Sequence, residues 1–215
     1  MRVLIINPNS DQETETLLRN TAERFIDGRF DFDVVSAKTA PKLVVTYEDQ
    51  YSSAAELAAI VRAHLQTCDA FIIACHADPS LDLIREVAAG KPVFGIAQSS
   101  MQMAGMQCGG FAVLTPAASI IPKKYALARK YHLEEQLKAV VVCGGNDRDS
   151  LLAAAREAQK VPNVSGIVLG CANYAGADGY LSRELGMPVY DGLIWAIVLA
   201  EGAVRVKRYL EKNES

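Results

Sequence analysis

Short apolar runs alternate along the whole chain with stretches whose apolar residues recur at helical spacing. The helical stretches include 13–25, 54–65 and 151–159, where apolar residues fall at positions i, i+3 and i+4. Because the apolar runs have no polar face, they predict parallel strands covered by helices on both sides of a sheet. The runs that predict strands are 3–7, 33–36, 70–74, 92–97, 111–115, 139–143, 166–170 and 188–192.

A repeated order of landmarks indicates that the chain consists of two related halves. An apolar run leads into Cys75, and a Pro-Val-aromatic run begins at Pro92. A second apolar run leads into Cys171, and a second Pro-Val-aromatic run begins at Pro188, after the same number of residues. One matching pair could arise by chance, whereas the matching order of several landmarks favours a duplication.

The first strands of the two halves supply a third landmark, since one ends in Asn7-Pro8 and its counterpart ends in Thr115-Pro116. We therefore predict an α/β fold of two pseudo-symmetric flavodoxin-like, or Rossmann-like, parallel-sheet halves. The first half spans 1–97 and the second spans 98–192, and a C-terminal helix within 193–215 completes the first half. Ligands bind at the carboxyl ends of parallel strands, so the active site is expected in a cleft between the halves.

Composition and charge exclude several classes of protein. Half of the 215 residues are apolar and 22% are charged, which is typical of a chain with a sizeable core. The net charge is −3 and no basic patch occurs, so nucleic acid is not an expected partner. The apolar run at the N-terminus is too short for a signal peptide or a membrane span. We therefore expect a cytoplasmic protein with no membrane partner.

The cysteine and histidine content argues against disulfides and metal sites. The chain has five cysteines at wide spacing without a CxxC pair, and its three histidines form no metal-like pair. The glycine-rich nucleotide-binding motifs and the GxSxG motif are also absent. We expect neither a metal nor a cofactor.

Two of the cysteines, Cys75 and Cys171, directly follow an apolar strand and precede a loop and a helix. Backbone amides and a helix N-terminus at such a position are expected to lower the pKa of the thiol. A single strand-end cysteine is more often a small core residue. Two cysteines at equivalent positions of a repeat favour a functional role instead.

A pair of thiols that face one cleft is suited to the inversion of a carbon acid. One thiolate removes the proton from one face, and the other thiol delivers a proton to the opposite face. The sequence also places neutral hydrogen-bonding side chains near the predicted strand ends, and no Arg or Lys adjoins either cysteine. A site without fixed cations is expected to prefer a neutral imide or ureide to a dicarboxylate. The neutral side chains are Asn7, Asn9, Ser10, Thr115 and Asn173.

Four sequence blocks resemble the aspartate/glutamate/hydantoin racemase superfamily, and the hydantoin and allantoin racemase branch in particular. The resemblance spans nearly the whole chain and implies a cofactor-independent mechanism with two thiols. It also implies that loops after the strands hold the substrate. The blocks are Ile5–Ser10, Ala74–Asp82, Pro92–Ile96 and Leu169–Ala172.

The resemblance assigns roles to individual residues. It implies that Cys75 and Cys171 are the catalytic pair. The residues that it places in the substrate site are Asn7, Ser10, Thr115, Asp191 and Gly192. We also place His76 and Ala172 there, because each adjoins a cysteine. The chain departs from the branch after the fifth strand and after Cys171, where Asn173-Tyr174 replaces the usual Gly-Met, and these departures concern the substrate.

The leading prediction is therefore an isomerase that racemises a carbon next to a carbonyl, in a hydantoin or allantoin-type substrate. An aspartate or glutamate racemase and a maleate-isomerase-like enzyme are the alternatives within the superfamily. A small-molecule-binding or thiol-redox protein is the alternative outside it. We expect a small-molecule substrate and a homo-oligomer.

Overall fold

The structure, a computed structural model, describes residues 1–213, in which strands and helices alternate as the apolar pattern predicts. The strands are β1 (Arg2–Asn7), β2 (Asp31–Ser36), β3 (Ala70–Ile73), β4 (Val93–Gly95), β5 (Phe111–Thr115), β6 (Leu137–Val142), β7 (Gly166–Leu169) and β8 (Val189–Tyr190). The α-helices are α1 (Gln12–Ile26), α2 (Tyr47–Ser52), α3 (Ala54–His64), α4 (Leu81–Val87), α5 (Ile96–Gln107), α6 (Ile121–Lys130), α7 (Arg148–Gln159), α8 (Asp178–Leu185) and α9 (Gly192–Asn213). Short 3-10 turns occupy Ala118–Ile120 and Ala172–Tyr174.

The strands form two four-stranded sheets with the same topology. The first has the order β2-β1-β3-β4, and the second has the order β6-β5-β7-β8. Every pairing in both sheets is parallel. The predicted α/β class is confirmed, and each of the eight predicted strands is present with boundaries shifted by a few residues.

The chain divides into two compact units. Unit 1 consists of Met1–Gly95 together with the described chain from Ala196 onward, and unit 2 is Ile96–Trp195. The sequence placed the corresponding boundaries at 97 and 192. Residues 214 and 215, which the predicted C-terminal segment also includes, lie outside the described residues.

Ion pairs tie the C-terminal helix to the rest of unit 1. Arg29, which follows α1, lies 2.8 Å from the carboxylate of Glu201 in α9. Arg208, which lies further along α9, has its guanidinium 3.1 Å from the carboxylate of Asp69, the residue before β3. Both pairs are partly exposed and each contributes little alone. They fix the direction in which α9 runs along unit 1.

The two central strands of unit 1 are buried along almost their whole length. Leu4 and Ile6 of β1 and Phe71 and Ile73 of β3 belong to one apolar cluster, which α3 and α4 complete. Their neighbours Val3, Ile5 and Ile72, which alternate with them and point to the opposite face, are equally inaccessible to solvent. A strand that is buried on both faces explains why the sequence shows continuous apolar runs here.

Unit 2 has one apolar cluster on each face of its sheet. Leu114 of β5 and Leu169 of β7 pack with the apolar faces of α7 and α8. Val113 and Val168, the preceding residues of the same strands, pack in a second cluster with residues of α5 and α6. The side-chain alternation along a strand therefore assigns each residue to one helix layer.

The loop after Cys75 differs from the sequence-based interpretation. Asp78-Pro79 is typical of a helix start, but α4 begins at Leu81, and Asp78 and Ser80 adopt left-handed backbone conformations with φ of 44° and 57°. A residue that precedes proline avoids the right-handed helical region, which explains why the helix starts later. The buried carboxylate of Asp78 instead occupies the space that a side chain at Gly95 would fill.

Two further boundaries differ. Ile96 and Ala97, which the sequence assigns to the fourth strand, form the first turn of α5. The helix α2 is not evident from the apolar pattern, because none of its residues is buried. A capping box between Thr46 and Asp49 stabilises it instead. No helix within residues 1–213 has the length and apolar character required to cross a membrane.

Gly170 connects β7 to Cys171 and provides a test of strand packing. A Cβ atom at this position would collide with the backbone carbonyl of Leu114 in β5. We expect Gly170→Ala to lower the free energy of unfolding by about 1–3 kcal/mol, because backbone must move to admit the methyl group. Urea unfolding followed by circular dichroism measures the effect.

The matched control is Gly202→Ala in α9, where the added methyl group meets no atom within 4 Å. Alanine favours a helix by about 1 kcal/mol over glycine, so this variant should be as stable as the unsubstituted protein or more stable. Equal stability of the two variants would contradict the proposed close approach of β7 to β5.

Candidate active site

Each sheet reverses its strand order between its two central strands. The chain leaves β1 toward β2 on one side and returns to β3 on the other, and β5 is flanked by β6 and β7 in the same way. Ligands of open α/β sheets bind beyond the carboxyl ends of the strands at such a reversal. The residues that follow β1 and β3, and those that follow β5 and β7, are therefore the candidate site residues of the two units.

In unit 1, a hydrogen-bonded network fixes the loop after β1. The side-chain amide of Asn7 donates to Asn9 Oδ1 at 2.8 Å and to Ser36 Oγ at 3.1 Å. Asn9 Oδ1 also accepts from the backbone N–H of Asp11 at 2.9 Å. The backbone N–H of Ser10 donates to the carbonyl of Pro41 at 3.2 Å. These bonds leave the other amide atom of Asn7, the buried Oδ1, without a hydrogen-bond partner.

Asp11 anchors this loop to α1. Its carboxylate accepts from the backbone N–H of Thr14 at 3.1 Å and from the hydroxyl of Thr14 at 2.6 Å. The hydroxyl contact, with smaller contributions from the backbone bond and from Lys42, holds the pKa of Asp11 below its ordinary value despite the opposing effect of burial. An ionised carboxylate at the helix N-terminus is the stable arrangement. The loop that presents Asn7 is thus rigidly attached to a helix.

Cys75 lies just beyond β3 and beside the end of β1. The backbone N–H of Ala74 donates to the carbonyl of Ile6 at 2.8 Å, which extends the β1–β3 pairing by one residue. A turn follows, in which the N–H of Asp78 donates to the carbonyl of Cys75 at 3.0 Å. Cys75 is partly exposed, whereas the side chain of His76 is almost wholly buried. Unit 1 therefore brings Asn7 and Cys75 together at its switch point.

In unit 2, Thr115 ends β5 and occupies the position that Asn7 has in unit 1. Its side chain is wholly buried, and its hydroxyl oxygen has no hydrogen-bond partner. Its backbone carbonyl accepts from the N–H of Cys143 at 2.8 Å. A buried hydroxyl without a partner costs free energy unless a ligand or water satisfies it. Thr115 is thus available for a ligand at the edge of the sheet.

Cys171 follows β7 after one residue, as Cys75 follows β3. It is partly exposed as a residue, but protein surrounds its thiol. Burial raises the pKa of this thiol, and the backbone N–H of Asn173 and the charge of Lys124 oppose that effect. The expectation of a lowered thiol pKa is therefore wrong for Cys171, because desolvation outweighs the loop amides.

Lys124 is a functional candidate that the sequence did not reveal. It lies in α6, is almost wholly buried, and donates from Nζ to the carbonyl of Gly170 at 2.8 Å. The absence of lysine or arginine beside Cys171 in the sequence led us to expect no cation near this thiol, but the fold brings Lys124 to Gly170, the residue before Cys171, across 46 residues of chain. The sequence offered only a weak indication that Lys124 is buried, since a lysine in an amphipathic helix is usually exposed.

A second buried polar group accompanies Cys171. The side chain of Tyr174 is wholly buried, and its hydroxyl lacks a partner that meets hydrogen-bond geometry. Burial, together with the neighbouring Cys143 and Cys171 thiols, raises the pKa of Tyr174 well above its usual value. Burial likewise raises the pKa of Cys143, which is a buried residue. Tyr174 and Cys143 therefore remain protonated at neutral pH.

Asp191 and Gly192, which the resemblance assigns to the substrate site, are both engaged within unit 2. The carboxylate of Asp191 accepts from the backbone N–H of Gly176 at 2.6 Å and of Leu193 at 2.8 Å, and it thereby caps α9. A side chain at Gly192 would collide with the carbonyl of Ile96. These contacts explain both residue types structurally, and their role in substrate binding stays a prediction.

The remaining predicted residues of unit 2 lie in the 3-10 turn that follows Cys171. Ala172 is nearly buried, and Asn173 is partly exposed. The N–H of Asn173 faces the Cys171 sulfur. Among residues 1–213, no group of three or more His, Cys, Asp or Glu side chains is arranged to hold a metal ion. Unit 1 thus has the partly exposed Cys75 and the unpartnered Oδ1 of Asn7, and unit 2 has the partly exposed Cys171 and the unpartnered hydroxyls of Thr115 and Tyr174.

The fold and these sites together define a duplicated α/β protein with a thiol at the switch point of each sheet. Residues 3–200 match a family model described as Asp/Glu/Hydantoin racemase. The chain belongs to this family, which confirms the resemblance inferred from the sequence. It is accordingly an enzyme of the isomerase class.

Individual relatives agree with this assignment. The chain is similar to a protein named hydantoin racemase from Pseudomonas sp. (strain NS671), with 30% identity over 100% of this chain and 94% of the relative. Its fold is similar to the structure of an allantoin racemase from Klebsiella pneumoniae, with a TM-score of 0.87 and 24% identity over 96% of this chain and 89% of that chain. A structure of allantoin racemase from Pseudomonas fluorescens superposes with a TM-score of 0.88 at 22% identity, over 96% of this chain and 92% of that chain.

The capping carboxylate Asp191 leads to a prediction about pH. Burial raises its pKa to about 6, although the backbone N–H groups that it binds oppose the shift. Since the folded protein holds the proton more tightly than the unfolded chain, the stability associated with protonation is present at low pH and is lost as pH rises through about 6. The free energy of unfolding of the unsubstituted protein minus that of Asp191→Asn should therefore decrease as the pH is raised from about 4.5 to about 7. Urea midpoints across this range measure the difference.

The control is Asp147→Asn at the N-terminus of α7. Asp147 is fully exposed and accepts from the backbone N–H of Ser150 at 2.9 Å, and the Ser150 contacts lower its pKa. The contribution of the Asp147 carboxylate to stability is lost only at acidic pH. The difference in free energy of unfolding between the unsubstituted protein and Asp147→Asn should therefore stay constant above about pH 5. If the difference between the unsubstituted protein and Asp191→Asn instead increased with pH, the raised pKa of Asp191 would be contradicted.

Proposed function

We propose that this racemase acts without a cofactor on a carbon of a hydantoin-type ring, with Cys75 and Cys171 as its acid and base. One observation carries the proposal. Of the five cysteines, all of which lie in the described chain, Cys68, Cys108 and Cys143 are buried, and the two partly exposed ones occupy equivalent switch-point positions. A partly exposed cysteine at the equivalent position of each unit is expected if each cysteine transfers a proton, although Cys171 also packs against the apolar cluster of unit 2.

The chemistry suits a hydantoin ring. The reacting carbon carries a hydrogen next to a ring carbonyl, so its deprotonation places the negative charge on the carbonyl oxygen. In one direction a thiolate takes this proton and becomes a thiol, and the second thiol protonates the opposite face and becomes a thiolate. The reverse direction exchanges the two roles. Protons and charge balance in each conversion, and proton exchange with water then restores the starting protonation states of the two cysteines, so the proton transfers need no cofactor.

Neutral polar groups support a substrate of this type. Asn7 Oδ1 and Thr115 Oγ1 are buried acceptors without partners, and a ring N–H or ureido N–H can donate to each of them. The Thr115 hydroxyl can also donate to a ring carbonyl or to the developing oxyanion. An analogue that lacks these N–H groups would leave the buried acceptors without hydrogen bonds. The site should therefore select against such an analogue.

The relatives support the same substrate class. The curated relatives are named hydantoin racemase, and two solved structures of similar fold are named allantoin racemase. Allantoin is itself a hydantoin that bears a ureido substituent, so both names describe inversion at the same ring carbon. The cytoplasmic location and the homo-oligomer expected from the sequence stay predictions.

Single substitutions of the cysteines test the mechanism. We expect Cys75→Ser and Cys171→Ser each to reduce racemisation in both directions at least about a hundredfold, because a hydroxyl is a poor base at neutral pH. Each variant should still exchange the ring C–H for deuterium with one enantiomer, and the enantiomer should differ between the two variants. Proton NMR in deuterium oxide, with each enantiomer of a 5-substituted hydantoin, measures the exchange.

The control for these variants is Cys68→Ser, a substitution of a buried cysteine in unit 1. It should retain racemisation in both directions even if its thermal stability falls. Racemisation near the unsubstituted rate in either switch-point variant would exclude two thiols as the acid and base and would favour a single-thiol reaction.

A substrate comparison tests the ring assignment separately. We expect kcat/KM for allantoin or a 5-substituted hydantoin to exceed that for free aspartate by at least about a hundredfold, since the buried acceptors match ring N–H groups. Polarimetry with the purified protein measures both rates. Faster turnover of aspartate than of every hydantoin would replace the ring substrate with an open-chain amino acid.

A further inference from the structure

Lys124 joins α6 to the backbone that carries Cys171. It is one of the most deeply buried charged residues, with 3% of its surface exposed, and its Nζ donates to the Gly170 carbonyl at 2.8 Å. Gly170 is the residue before Cys171, and it lies so close to β5 that an added Cβ atom would collide with the Leu114 carbonyl. The lysine bond and this close approach together fix the peptide group that orients the thiol.

The charge of Lys124 also acts on the Cys171 sulfur. Among the described residues of unit 2, the titratable groups that interact electrostatically with Cys171 are Lys124, Cys143 and Tyr174. Cys143 and Tyr174 are held in their neutral forms by raised pKa values, so they do not assist ionisation. Within unit 2, Lys124 is therefore the cation that favours a thiolate at Cys171. Its effect on the pKa of Cys171 is smaller than those of desolvation and of the Asn173 N–H.

The duplication does not extend to this lysine. The helix that follows the first strand of the sheet is α6 in unit 2 and α1 in unit 1. α1 contains no lysine, and its buried positions are occupied by threonine, leucine, alanine and isoleucine. Since the topology of the two units is the same, the lysine is a specific addition on the Cys171 side and not a requirement of the fold.

We propose that Lys124 is a positioning residue for proton transfer at Cys171. Its ammonium group holds the Gly170 carbonyl and stabilises the Cys171 thiolate. The assignment of Cys171 as an acid and base rests on the proposed function. The effect of Lys124 on the ionisation of the thiol does not, and it can be measured without any substrate.

The first experiment measures alkylation of Cys171 by iodoacetamide as a function of pH, with site-resolved mass spectrometry, in a Cys75→Ser background. Lys124→Gln can still donate a hydrogen bond to Gly170 but carries no charge, and we expect it to slow alkylation near neutral pH about tenfold, the ratio that corresponds to one pKa unit. Lys124→Arg keeps the charge and should lie closer to the unsubstituted rate. The matched control is Lys130→Gln, which removes an exposed lysine of the same helix and should leave the profile unchanged.

A Lys124→Gln profile that coincides with the Lys130→Gln profile would overturn the proposal. Lys124→Met is a second uncharged variant with the same expectation. Failure of both uncharged variants to fold would show that the charge serves the fold and would count against a role at Cys171.

The second experiment connects Lys124 to the reaction. We expect Lys124→Gln to slow deuterium exchange in the Cys75→Ser background, where Cys171 is the remaining base, by about the same tenfold ratio. The same substitution in the Cys171→Ser background should leave exchange by Cys75 unchanged. Equal slowing in both backgrounds would indicate a general structural effect and would refute the assignment. A complete absence of exchange in both single-cysteine backgrounds would instead refute the proposed function, while the alkylation result would still decide the role of Lys124.

Discussion

The structure depends on the parallel pairing of each unit's two central strands, β1 with β3 and β5 with β7. Parallel pairing aligns the carboxyl ends of neighbouring strands at one edge of the sheet, and the central strands of both units are buried along almost their whole length. The residues just beyond these strands are therefore held by the most buried part of the molecule. Asn7 ends β1 and Cys75 follows its neighbour β3, while Thr115 ends β5 and Cys171 follows its neighbour β7.

Identical topology has produced unequal environments for the two thiols. A buried lysine, a backbone N–H and a tyrosine hydroxyl surround Cys171, whereas Cys75 is followed by a turn with left-handed residues and by a buried histidine. The environment of Cys171 contains opposing effects, since desolvation disfavours its thiolate and the Lys124 charge favours it. Desolvation outweighs the other effects, so the neutral thiol is the favoured form of Cys171 at neutral pH.

The sequence predicted the features that periodicity and repetition encode. The eight strands follow from apolar runs, and the importance of Cys75 and Cys171 follows from their equivalent places in a repeat. Lys124 was missed because its partner is 46 residues away, and only the packing of α6 brings the two together. The start of α4 was misplaced because Asp78-Pro79 has the residue types of a helix cap but a left-handed backbone. Contacts between distant segments and unusual backbone angles leave little trace in a local pattern.

The discontinuity of unit 1 affects the order in which the polypeptide matures on the ribosome. Synthesis proceeds from the N-terminus, and domains made first usually fold first. Here unit 2 is one uninterrupted segment, whereas unit 1 requires α9, whose residues Ala200 and Val204 are buried in the finished protein. The segment translated second can consequently reach its final form while the segment translated first still exposes the apolar surface that α9 will cover. The fold of unit 1 therefore stays incomplete until α9 has left the exit tunnel.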